Sequence, residues 1–459
     1  MDHRLFAGAA EIDITPGFGT QIAGDIGRRR PALVVLDPLY ARALVLEGES
    51  ESVCIISMDL LAATKEKCDA IRGEVAARHG IPAENVAVHV TQNHAAPSLG
   101  HLMVTPDNSL LPKEKEWDFL RGGDEEYAAL CIERVLNAVG EAVAGKQRAR
   151  VGAAREIDGR FTFNRRAVMR DGRRIAEPAK NDKNILYIDG PTDPEVGVVL
   201  FTNDALENIA VMLHYTSHPT SGYPRNFITA DWPGAWCARM KGVLGGGCVP
   251  LVINGCCGNL GTDNKLDAGN DRNDYAGVGA GLAQTAVKAL KDLSYIDAGP
   301  LSAAGMTLRI PLREFTEDYL ANARNILREH PTPKWNDSIK SVEWDWWIAM
   351  SALDANAYFG AAGAFDYEIQ AFRLGGLGMV TLGGEPYVEG QLAVKLRSPA
   401  DYTFLAHMCN YYVGYVPIRE AVENPGSWDT YTSLCSKLAP EALDMIADAS
   451  AGLLEKLFR

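Results

Sequence analysis

An α/β class follows from the alternation of strand-like and helix-like stretches along all 459 residues, the arrangement in which helices cover sheets. Two observations carry it. Apolar, β-prone runs such as IAVMLHYTS and VPLVING have the length and composition of buried strands. Between such runs lie longer stretches with helical spacing, clearest at 124–143, where Tyr127, Leu130, Cys131, Val135, Val139 and Val143 form one stripe. A composition of 47% hydrophobic and 23% charged residues is that of an ordinary globular chain.

Taken in order, residues 6–16 read as a strand stopped by Pro16-Gly17. Asp37-Pro38-Leu39-Tyr40 makes a corner into strand 40–48, and the polar turn GESES leads to strand 53–60, a hairpin that ends at Asp59. A helix is expected over 64–79, with Ile71 and Val75 at helical spacing. NVAVHVTQNH is a strand running into a loop, and the helix 124–143 follows. Strands are expected at 149–157, 184–188 and 196–202, then IAVMLHYTS, which delivers His218 to the start of a loop. The link GVLGGG leads to the strand VPLVING and the polar loop CCGNLGTDN, then a helix over 274–292 and a strand over 301–310. Residues 314–365 read as a helical insertion without strands, carrying Trp335, Trp344, Trp346, Trp347, Tyr358 and Phe359. EIQAFRLG, GMVTLGGEP and YTFLAHMCN are three further strands, and 439–458 is a closing helix. No internal repeat, low-complexity tract or linker is visible, so 1–459 is expected to be a single domain.

A formal net charge of -14 disfavours nucleic acid and stable association with anionic membranes, which both require a basic face. The nine cysteines are odd in number and scattered, without a CxxC pair, a reduced pattern. The first residues lack the charged-then-apolar layout of a secretion signal, and no apolar run approaches the ~20 residues of a membrane span. A cytoplasmic protein acting on a small molecule is expected.

Four loops at strand ends hold the residues able to do chemistry: TQNHAAP with Gln92 and His94, HYTSHPTS with His214 and His218, GGEPYVEG with Glu385, and NYYVGYVP with Tyr411, Tyr412 and Tyr415. Two histidines and a carboxylate from separate loops, with one position open, make up a catalytic zinc site. The competing reading of each lone histidine is a hydrogen-bonded core residue, and spacing alone does not decide between them. Cys256-Cys257 reads as packing, as a nucleophile or as a second metal site, Asp59 as a turn carboxylate or as a group orienting a histidine. Arg28-Arg29-Arg30 reads as a solvated face or as an anion site for an acidic substrate, His89 as a buried strand residue, and the tryptophan-rich insertion as packing or a pocket wall.

Together the motifs resemble the catalytic domain of the neutral/alkaline, non-lysosomal ceramidase family. In order they are AGAAEIDITP, DPLYARALVL, ISMDLL, VTQNHAAP in place of THTHSGP, FNRR, DPEVGVVLF, SHPTS, ITADWPG, INGCCGN, GGEP, NYYVGYVP and LAPEALDMI. The resemblance implies two central sheets covered by helices, an αββα-like sandwich. It implies a zinc ion held by His94, His218, Glu385 and Tyr412, with Arg165 of Asn164-Arg165-Arg166 near the scissile bond. His94, Arg165, Tyr412 and Tyr415 are then the expected catalytic residues, and Gln92, Asn164 and Asn254 the expected substrate contacts. Three departures matter. The first histidine of THTHSGP, the implied ligand, is Gln92 here; a neutral imidazole binds zinc better than an amide oxygen, so His94 is expected to take over. The serine of the family's QSNAGD stretch is Gly255 and its aspartate is Asn259. The family's immunoglobulin-like domain and secretion signal are not in the sequence. The expected activity is zinc-dependent hydrolysis of a small polar amide or ester, not ceramide; the alternatives are a metal-dependent lyase or isomerase acting on a sugar-like acid, and a non-catalytic binding protein.

Overall fold

Three copies of one βββαβα topology build the protein, in a computed structural model that describes residues 4–25, 27–100, 109–271, 273–297, 299–360, 363–423 and 436–459. The first unit consists of β1 (Phe6–Asp13), β2 (Tyr40–Glu47), β3 (Ser52–Met58), α1 (Lys65–His79), β4 (Val86–Val90) and α2 (Glu125–Ala144). The second consists of β5 (Gln147–Ile157), β6 (Glu195–Asn203), β7 (Asn208–Tyr215), α3 (Asp231–Leu244), β8 (Val249–Asn254) and α4 (Tyr275–Ala289). A short strand β9 (Ser294–Ile296) pairs with β5. The third unit has β10 (Leu301–Pro311), the insertion helices α5 (Glu317–Glu329) and α6 (Trp344–Gly360), β11 (Ala364–Leu374), β12 (Leu377–Thr381), α7 (Val388–Arg397), β13 (Tyr402–Ala406) and α8 (Ala442–Leu457).

In each unit the first three strands pair antiparallel and the fourth pairs parallel to the third across a helical crossover. That order has a geometric consequence. The first, third and fourth strands all finish at the same end of the sheet, and the excursion from first to second strand also emerges there. The described residues of excursions 14–39, 158–194 and 312–363, and of the loops after the third and fourth strands, therefore crowd one end of the molecule. No sequence repeat was expected. The repeat lies in hydrogen-bond topology, and excursions of unequal length erase any period in the residues.

The first two units join along β1 and β5, where Phe6 faces Arg148 and Ala7 faces Gln147, giving one nine-stranded sheet; the third unit is a separate four-stranded sheet. Inner faces of all three units share one core that includes Leu44, Ile55, Met212, Leu251, Phe372 and Phe404. Outer faces are covered by helix pairs: α1 and α2 on the first unit, α3 and α4 on the second, α7 and α8 on the third. Two central sheets under helices are thus the architecture expected from the motifs. α2 starts where Asp124 accepts a hydrogen bond from the Tyr127 N–H at 2.9 Å, and it buries Tyr127, Cys131, Val135 and Val139 as its periodicity predicts. The insertion is helical, but it also contains a two-residue ladder between Trp335–Asn336 and Ser341–Val342. The eight cysteines among the described residues are buried and free; Cys435 and the side chains of Tyr358 and Phe359 lie outside the described residues. Among the described residues no helix is long and apolar enough to cross a membrane.

Buried histidines tie the units together. Nε2 of His89 accepts from the Asn254 N–H at 3.1 Å, so its Nδ1 carries the hydrogen and donates to the His407 carbonyl at 2.8 Å. His214 stacks on Phe404 with ring centroids 4.8 Å apart and meets the Leu405 backbone at 3.2 Å. Burial pushes the His89 imidazole down to about 4, so the folded protein leaves unprotonated a ring that the unfolded chain protonates near pH 6.5. The stabilisation is complete above pH 6.5 and is lost as pH falls toward 4. Urea midpoints measured across that window should decline with falling pH, and His89→Gln should flatten the decline. Parallel curves for the two proteins would assign the loss to other groups.

Candidate active site

Strand β4 ends at Val90, and the chain runs through Thr91, Gln92 and Asn93 to His94; β7 ends at Tyr215, and Thr216 and Ser217 lead to His218. Thr216 and Ser217 are anchored, since the Thr162 hydroxyl donates to the Thr216 carbonyl and the Ser217 hydroxyl to the Phe161 carbonyl, each at 2.7 Å. The two loops bring His94 Nε2 within 2.8 Å of His218 Nε2. Nδ1 of His94 lies 3.0 Å from the Gly24 carbonyl, so it carries the hydrogen and leaves the Nε2 lone pair directed at His218. Gly24 sits at φ 88°, and a Cβ there would lie 2.6 Å from His94 Nδ1, so only glycine fits. The fully buried Arg30 donates to the carbonyls of Ala23 at 2.8 Å and His94 at 3.0 Å, which clamps the pair in place. Burial pushes the His218 imidazole well below its usual range, and the His94 ring and the Arg165 charge add to the effect.

Glu385 follows β12 and pairs in parallel register with Tyr415. Tyr412 donates its hydroxyl to Glu385 Oε1 at 2.9 Å, whereas Oε2 is buried without a hydrogen-bond partner among the described residues. Burial raises this carboxyl, opposed by Tyr412, Arg165, Tyr415 and Gln92. Gln92, His94, Glu385, Tyr412 and Tyr415 all line one cavity of about 50 Å³, whose other walls include Gly24, Asp25, Leu61, Phe119, Leu120 and Met408. Arg165 packs against the rim: its guanidinium donates to the Tyr415 hydroxyl at 3.3 Å and to the Gly258 carbonyl, lies over the Tyr415 ring, and pairs with Glu177 at 3.4 Å.

Among the described residues no three His, Cys, Asp or Glu side chains gather as a metal cluster. The expected ligand set instead stands as an imidazole pair, His94 with His218, and a carboxylate–phenol pair, Glu385 with Tyr412. The donor chemistry nonetheless suits a cation. Without one, a proton has to sit between two facing imidazole nitrogens, and a buried carboxylate oxygen is left orphaned at a desolvation cost.

Other expected residues take different places. Asn164 is spent on the fold, since it donates to the Pro191 carbonyl at 3.0 Å and accepts from the Arg166 N–H at 3.1 Å; it does not line the cavity. Asn254 lies beneath the cavity, wholly buried. Asp59 does not orient a histidine: its carboxylate is held by Arg42 at 2.8 Å and by the Tyr40 N–H at 2.9 Å. Arg30 is not a solvated face. Among the described residues no insertion tryptophan lines the cavity. Trp346 and Trp347 pack with Leu120, and Trp335 meets Phe119 edge-on, so the insertion acts on the cavity wall at second hand. Gly24, Phe119 and Met408 were not singled out for the site. The only signal for Gly24 was a glycine in a polar excursion, and nothing in the sequence placed that excursion over His94.

The chain matches no family model and no curated protein. Its fold is similar to that of the neutral ceramidase from Pseudomonas aeruginosa, with a TM-score of 0.71 over 99% of this chain and 75% of that one, at 17% identity. A second solved structure, a ceramidase complexed with C2, matches with a TM-score of 0.73 over 100% of this chain and 76% of that one, again at 17% identity. The likeness read from ordered motifs is therefore a likeness of the whole fold.

Gly255 shows how its neighbourhood differs from a serine-bearing one. A Cβ at this position would overlap Thr216 Oγ1 and lie 2.6 Å from Gln391 Oε1. Gln391 is fixed in turn, accepting from the Cys256 N–H at 2.8 Å and donating to Asp193 at 2.6 Å and Thr216 at 2.8 Å. Gly255→Ser should destabilise the protein by about 1–3 kcal/mol through overpacking, as read from denaturant midpoints. A variant as stable as the parent would mean that Gln391 yields freely.

Proposed function

We propose that the chain is a zinc-dependent hydrolase that cleaves a small polar amide or ester. The observation that carries this reading is the facing pair of Nε2 atoms, His94 and His218, 2.8 Å apart, with the His94 tautomer set by the Gly24 carbonyl. Glu385 and Tyr412 would complete the ligand set from the other side of the cavity. Zinc, when bound, lowers the pKa of a water molecule to near neutrality and polarises a carbonyl. His218 suits this role, because burial keeps it neutral at physiological pH and a neutral imidazole is the ligating form.

Around that centre, Arg165 and the Tyr415 hydroxyl it donates to would stabilise negative charge on a carbonyl oxygen. Apolar walls from Phe119, Leu120 and Met408 would displace water around a bound substrate, which would strengthen those charges. A cavity of about 50 Å³ favours a small acyl group over a two-chain lipid. The fold of the ceramidase structures supports hydrolysis as the reaction class, and the substituted serine position and small cavity support a substrate other than ceramide.

His218→Ala should lose zinc and turnover together while the protein stays folded, as read by elemental analysis beside circular dichroism. Full zinc occupancy in that variant would sink the assignment. Arg165→Ala should keep zinc but lose turnover by about two to three orders of magnitude on short amides and esters. Oxygen-18 from labelled water should enter the acid product, and a product free of label would point to lyase or isomerase chemistry. A soluble short-chain ceramide offered beside that panel should be cleaved poorly; efficient cleavage that depends on Glu385 and His218 would restore ceramide as the substrate.

A further inference from the structure

Gln92 is 1% exposed and its backbone sits at φ 64°, a conformation that side-chain-bearing residues adopt only when their surroundings impose it. Its Oε1 lies 3.3 Å from Cys257 Sγ. Asn254 Nδ2 donates to the same sulfur from 3.6 Å, which leaves the thiol hydrogen free for an acceptor. The amide oxygen is nearer to that sulfur than His407 Nε2, which lies at 3.7 Å. A carboxamide whose oxygen is turned to a buried thiol presents its NH2 group on the opposite side, and an NH2 group does not ligate a metal. Gln92 also lines the cavity beside the Glu385 carboxylate, whose pKa it helps to lower, and the Glu385 Oε2 has no donor at hydrogen-bonding geometry among the described residues.

Cys257 itself is wholly buried and is not among the cavity-lining residues, and its sulfur is surrounded by Gln92, Asn254 and His407. It is held there from below, since the Asn254 N–H meets His89 and the following Gly258 N–H donates to the Pro386 carbonyl at 3.1 Å. The thiol therefore fixes which way the Gln92 amide points in the cavity that it shares with the carboxylate.

We propose that Gln92, oriented by the Cys257 thiol, is a positioning residue that sets the Glu385 carboxylate for zinc and is not itself a ligand. This rests on the zinc reading above. Groups that orient a ligand typically change metal affinity by about 10- to 100-fold when removed. Zinc affinity is measured by chelator competition on wild type, Gln92→Leu, Cys257→Ala, Cys257→Ser and the Gln92→Leu/Cys257→Ala double variant. Gln92→Leu and Cys257→Ala should each weaken zinc by about 10- to 100-fold, and Cys257→Ser, which keeps a donor, should stay within about threefold of wild type. The double variant should be no weaker than Gln92→Leu, because the thiol acts only through the amide. Gln92→Met, similar in length and without the amide, asks the same question should Cys257→Ala fail to fold.

Cobalt-substituted wild type adds a spectroscopic readout. Visible bands without a sulfur-to-cobalt charge-transfer band support the assignment, and such a band would make Cys257 a ligand and overturn it. Unchanged zinc affinity in Cys257→Ala, or additive losses in the double variant, would overturn the inference and leave the proposed function standing. A wild-type protein that binds no zinc would overturn both.

Discussion

The end of the molecule that carries the site depends on one buried carboxamide. Asn254 closes β8 with no exposure to solvent, and its polar atoms reach all three units. Its N–H donates to His89 and its Nδ2 to the Thr91 carbonyl, both in the first unit; its Oδ1 accepts from the Ser217 N–H in its own unit, and its carbonyl accepts from the His407 N–H in the third. A buried amide with this many partners is costly to disturb, because each freed group would be desolvated without compensation. The loops that carry Gln92, His218 and the residues after β13 leave from this point, so their spacing is inherited from it.

Topology explains why so many loops can meet there. Antiparallel pairing of three strands and a parallel fourth send three connections per unit to one end, and three units share one inner core. No single loop has to supply a complete constellation. The first unit contributes His94 and Gln92, the second His218 and Arg165, the third Glu385, Tyr412 and Tyr415. The excursion 14–39 adds the Gly24 carbonyl, and the insertion braces the wall at Phe119 and Leu120. Positive φ values at Gln92, Asp231, Met408 and Asn410 fall on these strand-end segments or their continuation, where tertiary contacts hold strained backbone in place.

Where the chain departs from the ceramidase motifs, the surroundings have closed around the change. Gln391, Thr216 and Asp193 occupy the space beside Gly255 with a satisfied hydrogen-bond network. Gln92 is engaged by Cys257, so the histidine of the motif is replaced by a group with partners of its own rather than by a void. A buried polar position cannot be changed alone without stranding its neighbours.

Much of this was legible in the residues. Periodicity placed the helix at 124–143 to within a residue, because an amphipathic stripe is a local property; apolar runs marked the strands, and the strand-end loops with His94, His218, Glu385 and Tyr412 stood out by residue type. Other features needed the tertiary structure. The threefold topology was invisible, since hydrogen-bond order between distant strands leaves no mark on a sequence interrupted by unequal excursions. Arg30 read as solvated and is buried, Asp59 read as a possible orienting group and is consumed by Arg42, and Asn164 read as a substrate contact and is tied to Pro191. In each case the deciding partner lies on another element, in Arg30's case as far away as Arg225. The sequence alone determined which chemical groups the strand ends carry; only the packing of the three units decided which of them meet, because those distances are set by contacts between residues far apart in the chain.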